Sequence, residues 1–390
     1  MDNNSAGQMK SLWVQGWVGI NHSYAMVNQY QLLALTQMPQ VQLFYSELPA
    51  YDPRWTKAAL GAGFSPAEQA LLAGIQPHQE EPVSAIYRIH TPNTLQLSNH
   101  KIITFMVTEF GLDERWFTPD ANIKAYVDAG NLIATPSHWS RDRIVEYGFD
   151  EASVYVVPHG VDSRRFQPMD LEERAQARAA LGYTPEDVVF LNVGAPMWNK
   201  GMDLVFEAFF KIRRKHKNAK LLVKDQQALY GFSAVTMVQN LAAAGKVRID
   251  GDDVAAVRLI PATLSLEQLR SLYCVADYYV SPYRAEGFNL PVIEAIASGT
   301  KVIVTSGGST DDFCDANTAI KIPASLHRHT EMQGQQLNAH LQPDMDALVE
   351  IMDTCMSERA STSERFAFGR TDLLEKFTWT RASRLIAALA

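Results

Sequence analysis

Short apolar runs and longer runs of helical spacing take turns along this chain, in two successive sets. In the first set, residues 12–18, 41–45, 84–89, 101–108 and 132–135 are short and rich in β-branched or aromatic side chains, which predicts strands. A loop at 19–24 leads into a helix through about residue 36, and 114–116, 123–129 and 140–147 are further helical intervals. The second set opens at residue 188. Strands predicted at 188–193, 220–223, 257–260, 278–281 and 301–304 alternate with helices near 203–214, 233–244, 266–274 and 291–297. Such alternation implies, twice over, a parallel sheet flanked by helices. Two final helices, 344–357 and 380–389, complete the pattern.

Length agrees with two units, since 390 residues exceed what one hydrophobic core usually serves. Nearly half of the residues are apolar and a fifth charged, as in ordinary globular proteins, and a formal net charge of -8 argues against nucleic acid as the main partner. Cys274, Cys314 and Cys355 form no close-spaced pair, so reduced buried thiols in a cytoplasmic protein are expected. Residues 1–10 are polar and lack the apolar centre of a signal peptide. No window approaches an apolar stretch of about 18 residues, which excludes a spanning helix; peripheral membrane contact stays open. The basic run 211–217 reads as a solvated helix end. Residues 324–343 are polar, with His327, His329 and His340, yet their spacing matches no compact ligand motif. We expect a surface insertion there and no metal site.

Candidate chemistry concentrates at Glu286 and Glu294, which bracket Glu-Gly-Phe-Asn-Leu-Pro-Val-Ile-Glu between a predicted strand and a predicted helix. Pro291 opens the helix and Gly299 is placed to end it. Glu286 then lies in the loop at the carboxyl end of a strand, where open α/β sheets bind ligands. Glu294 lies in the first helical turn, able to point back towards that loop. Gly287 admits close backbone approach, and the amides of Phe288, Asn289 and Leu290 at the helix start favour anionic oxygens. The alternative is a glutamate complementing the helix dipole beside an unrelated exposed acid.

This segment resembles the signature of retaining glycosyltransferases of the GT-B architecture, in the large family 4 group. Val157-Pro158-His159-Gly160-Val161-Asp162 is similar to that family's interdomain segment, Phe190 to Gly194 with Asn199-Lys200-Gly201 to its first donor-domain strand and phosphate loop, and Phe377-Thr378-Trp379 to its closing helix. The resemblance covers most of residues 100–390. It implies two Rossmann-like domains facing across a cleft: an acceptor domain over residues 1–168, rejoined by a helix at about 378–390, and a nucleotide-sugar donor domain over 169–377. It also implies closure of the two around the donor. Glu286 would hold the transferred sugar, Glu294 the ribose, and Lys200 the leaving diphosphate, with no cofactor and no metal. Where the family usually adds an arginine after Gly194, this chain has Ala195, and Lys224 at the end of its strand is a candidate replacement. Arg258, Leu259 and Ile260 sit where the family reads the base edge, and Gly307-Gly308 resembles its second glycine-rich loop.

In the first domain, Gly16 follows strand one without dinucleotide spacing, and His22 and Tyr24 lie in the next loop. His90 and Glu109 end two later strands and are expected on the acceptor side. Glu109 stands where many relatives carry a histidine and is placed with the catalytic groups. The reaction implied is transfer of a hexose-type sugar from a nucleoside diphosphate sugar to a hydroxyl acceptor. A sugar-nucleotide epimerase, a phosphorylase or a non-catalytic sugar-nucleotide-binding protein are the rivals. Donor base, sugar, acceptor, linkage and oligomeric state leave no mark in the sequence.

Overall fold

A computed structural model describes residues 9–52, 55–58, 61–332, 335–357 and 364–390. The expected polar tail at 1–10 therefore falls almost wholly outside the described residues.

The chain divides into two compact units, Met1–Gly160 with Phe377–Ala390, and Val161–Lys376. The sequence had set the first boundary at 168. The chain from 161 onwards packs instead on the second unit: Phe166 is buried edge-on to Tyr273, and Pro168 lies 2.9 Å from where a Cβ on Gly299 would stand.

In the first unit six parallel strands, β1 (Lys10–Gly16), β2 (Val41–Glu47), β3 (Ala85–Ile89), β4 (Ile102–Phe105), β5 (Leu132–Thr135) and β6 (Val154–Val156), lie in the order β2-β1-β3-β4-β5-β6. Their interior residues, Leu12, Ile86, Ile102 and Ile133 among them, are buried, as a sheet covered on both faces requires. The helix Trp379–Leu389 packs on the helix Ser23–Leu35, with Trp379 stacked on Tyr30 at 4.7 Å and Ser383 Oγ donating to the Gln31 carbonyl.

The second unit repeats the plan with β7 (Val188–Val193), β8 (Ala219–Lys224), β9 (Val257–Ile260), β10 (Tyr278–Ser281), β11 (Lys301–Thr305) and β12 (Ala319–Ile322), all parallel, in the order β12-β11-β10-β7-β8-β9. Phe206, Phe209 and Phe210 of the helix Met202–Arg213 fill its core against Val188, Phe190, Leu221 and Val280. Two independent Rossmann-like sheets thus stand where two alternating sets were predicted.

The polar stretch 324–343 is not irregular. It forms an antiparallel hairpin, β13 (Ala324–Met332) and β14 (Gln335–Pro343), whose Leu337, Ala339 and Leu341 are buried at period two. His327 faces His340 across the ladder at a ring separation of 5.2 Å. Among the described residues, no cluster of three or more His, Cys, Asp or Glu is arranged to hold a metal, and no helix is long and apolar enough to cross a membrane. All three cysteines are buried and free.

Candidate functional site

In each sheet the strand order reverses once, and ligands of open α/β sheets bind outside the carboxyl ends of the two strands at that point. In the second unit those strands are β7 and β10. Gly194 and Lys200 follow β7, and Glu286 follows β10.

Backbone contacts force the two loops together. Gly201, at φ +70°, lets the turn Trp198–Lys200 pass into the helix Met202–Arg213, and a Cβ there would stand 2.0 Å from the Pro282 carbonyl oxygen. Beside it, the Asn199 carbonyl accepts from the Arg284 amide at 2.7 Å and the Ala285 amide at 3.2 Å. Lys200 Nζ consequently reaches both carboxylate oxygens of Glu286, each at 2.8 Å. The Glu286 side chain is 9% exposed and that of Lys200 27%, so the carboxylate is the more enclosed partner.

A second ion pair braces this joint. Arg284 donates to both carboxylate oxygens of Asp203 at 2.8 Å and to the Trp198 carbonyl at 2.7 Å, with its guanidinium 4.8 Å from the Trp198 ring centroid. The Arg284 carbonyl accepts from the Leu341 amide of β14, and His340 lies edge-on to Trp198 at 5.2 Å. One buried arginine therefore ties the turn Trp198–Lys200, the Glu286 loop and the hairpin together. Sequence reading missed it; an arginine inside an otherwise apolar loop, Tyr283 to Ala285, was the available signal.

The helix carrying Glu294 begins at Leu290, one residue before the expected Pro291, because Asn289 caps it in the left-handed region at φ 74° while donating to Ser281 Oγ. Glu294 is thus its fifth residue and opens the second turn. Its carboxylate accepts from Tyr273 Oη at 2.8 Å, and burial pushes its pKa up to about 7 against that hydrogen bond. The unfolded carboxyl titrates near 4.5. Between these values the folded chain holds the extra proton, so this stability is full below the lower value and is lost as pH rises through the upper one, by roughly 3 kcal/mol. Glu294→Gln removes that slope. Its denaturation midpoint relative to wild type should rise from pH 5 to about pH 7 and level off above that, and a difference constant with pH would contradict the assignment.

The other predicted donor-side residues are distributed around this centre. Gly194 ends β7 with its amide on the Lys224 carbonyl, and Ala195 is buried. Lys224 is buried too, its ammonium donating to the Asp225 carbonyl, and desolvation lowers its pKa. The Ile260 carbonyl accepts from the Asp225 amide and Leu259 packs against the core, whereas the exposed Arg258 lines a cavity of about 240 Å³ with Tyr183 and Lys220. Gly287 and Phe288 continue the Glu286 loop, Phe288 lying 4.9 Å from the Phe313 ring. Gly308 is required by packing, since a Cβ there would stand 2.5 Å from Tyr283 Oη.

In the first unit the reversal falls between β1 and β3. Gly16 ends β1 with its carbonyl accepting from Tyr45 Oη and the Leu48 amide, and a Cβ on it would clash with Ile89 at 2.6 Å. His22 and Tyr24 start the following helix, where His22 Nδ1 accepts from the Tyr24 amide. His90 follows β3; burial first, and then Arg88, lower its pKa to about 4, so the ring is neutral at pH 7. The Glu109 carbonyl accepts from Trp139 Nε1 at 2.8 Å.

Residues 187–326 match the family model of glycosyl transferases group 1. The chain is 26% identical over 244 residues to mannosylfructose-phosphate synthase of Agrobacterium fabrum, covering 60% of this chain and 52% of that protein. It is 31% identical over 193 residues to D-inositol 3-phosphate glycosyltransferase of Segniliparus rotundus, covering 48% and 40%. It thus spans about half the length of these relatives or less. HepE of Anabaena, solved in complex with UDP-glucose, is similar in fold over 97% of this chain and 98% of its own, with a TM-score of 0.65 at 13% identity.

Proposed function

We propose that this chain, whose second unit carries a glycosyl transferases group 1 domain and whose fold is GT-B, transfers a hexose-type sugar from a nucleoside diphosphate donor to a hydroxyl acceptor with retention. The observation that carries this is the Lys200–Glu286 pair, 2.8 Å apart where the order of the second sheet reverses. The complex of HepE with UDP-glucose and the names of the two relatives support the donor class and the transfer reaction.

In this reading the incoming diphosphate takes Lys200 from Glu286, and the freed carboxylate receives the sugar hydroxyls. The acceptor oxygen bonds to the anomeric carbon on the face from which the diphosphate departs. The bond from that carbon to the phosphate oxygen breaks, and the acceptor proton passes to the departing phosphate. Charge on the leaving group is neutralised by Lys200 and helix-start amides, without a metal. Glu294 holds the ribose. Arg258 to Ile260 face the base through their backbone, Lys224 supports the phosphates, and the acceptor is assigned to the first unit, with His22, Tyr24, His90 and Glu109 at its strand ends.

Uridine, guanosine and adenosine diphosphates test the donor site by thermal shift. At about a hundred times its dissociation constant, the matching nucleotide should add roughly 2.7 kcal/mol of stability. No shift with any of them would refute the donor site. A binding protein without catalysis would retain its cellular role in Glu286→Ala, whereas a transferase would lose it.

A further inference from the structure

At the carboxyl end of β1, where the first sheet reverses its order, aromatic rings form a continuous ladder. Trp17 is buried and fixed by its Nε1, which donates to the Pro49 carbonyl at 2.9 Å. His22 stands edge-on to it at 5.6 Å, and Trp55 lies against both, stacked on His22 at 4.6 Å and edge-on to Trp17 at 5.8 Å. Tyr51 extends the series outwards, 6.4 Å from Trp55 and 66% exposed. The inner rings are held by Tyr24 and Phe105, 5.2 Å apart. The ladder therefore runs from a packed base to rings that water reaches.

Core packing accounts for Trp17 and Tyr24 but not for the outer rings. Tyr51 and the half-buried Trp55 lie on the segment after β2, so large aromatic surface is stacked in register yet left wet. Rings so placed, with an apolar face and a polar edge, suit a ligand that is itself amphipathic. A pyranose ring is one, presenting a sheet of C–H bonds on its face and hydroxyls around its rim. Among the described residues, two cations at this end of the sheet have partners: Lys57, its stem packed over Gly19, pairs with Glu47 at 2.8 Å, and Arg88 donates to Gln15 and the Gln96 carbonyl. That favours stacking over capture of a phosphorylated acceptor.

We propose that this ladder is a stacking platform for a terminal pyranose of the acceptor, so that the acceptor is itself a glycan or glycoside. The proposal rests on the transferase reading above and assigns Trp55 and Tyr51 to substrate recognition.

Isothermal titration calorimetry, which reads the Trp55 variants as well as wild type, tests it, with maltotriose, cellotriose, chitotriose and mannotriose as probes, and inositol phosphate and fructose 6-phosphate as phosphorylated controls. At least one neutral trisaccharide should give a saturable heat change. Its affinity should fall at least tenfold in Trp55→Ala and Tyr51→Ala and largely survive in Trp55→Phe, while the nucleoside diphosphate shift stays unchanged. A nucleotide shift with no response to any trisaccharide, or with equal affinity in wild type and the alanine variants, would overturn the platform and leave the donor reading standing. Preference for the phosphorylated controls would overturn it as well. Absence of the nucleotide shift itself would refute the donor reading instead.

Discussion

Lys200→Ala is expected to lower the turnover number for sugar transfer by about 10²- to 10³-fold, the usual cost of removing one preorganised group aimed at developing negative charge. The charge on the leaving diphosphate grows only as the anomeric bond breaks. Loss of Lys200 should therefore depress kcat and kcat/KM together and change the donor KM less. The substitution also leaves the Glu286 carboxylate, 9% exposed, without the ammonium that bridges both its oxygens. That cost falls on the free protein as well, so the thermal midpoint of the variant has to be measured beside its turnover. The thermal midpoint of Lys200→Ala combined with Glu286→Gln isolates the electrostatic cost, and should recover relative to Lys200→Ala because the buried carboxylate charge is gone. Counting nucleoside diphosphate released per enzyme decides the matter, and a fall in turnover of less than tenfold would remove Lys200 from the mechanism.

Lys200 and Glu286 were both singled out from the sequence, though not as partners of each other, because they follow strands whose signals are strong. Val188–Val193 and Tyr278–Ser281 are buried on both faces and read as nearly continuous apolar runs, the mark of parallel strands. Signals of other kinds were weaker or were passed over. The helix Pro66–Ala73 lies in a stretch to which no element was assigned, although Ser65 and Glu68 form a capping box and Pro66 opens its first turn. β12 and the hairpin after it were missed because β12 is four residues long and buries only Ala319 and Ile322, while β13 is largely exposed and the buried His340 interrupts the alternation of Leu337, Ala339 and Leu341 in β14. The joint between the units was misplaced by eight residues at one end, since the burial of Phe166 against Tyr273 is a tertiary event. Asp203 and Arg284 are 81 residues apart, and nothing local to either names the other as its partner.

Arg284→Ala should destabilise the second unit by about 3–5 kcal/mol, because it strands the Asp203 carboxylate, whose side chain is 15% exposed, without its bidentate partner. For a unit of this size that corresponds to a fall of roughly 10 °C or more in its thermal midpoint. The arginine also carries contacts that no other cation can copy. Its planar fork meets both Asp203 oxygens while its face covers Trp198, so Arg284→Lys should recover only part of the loss. Replacing both partners by apolar residues of similar volume, Arg284→Met with Asp203→Leu, removes the orphaned charge and should restore most of the stability. It does not restore the geometry. The backbone of Arg284 hangs on the Asn199 carbonyl, one residue from Lys200, and Glu286 follows two residues later. With the side-chain pin gone, the Lys200 and Glu286 loops are held to each other and to β14 by their backbone contacts without the arginine that locks them, so the stabilised double variant should remain well below wild type in turnover. Thermal midpoints and turnover of the four proteins, measured together, separate the two roles. Full activity in the double variant would show that the Arg284–Asp203 pair serves stability alone and that the catalytic loops are positioned by their backbone contacts.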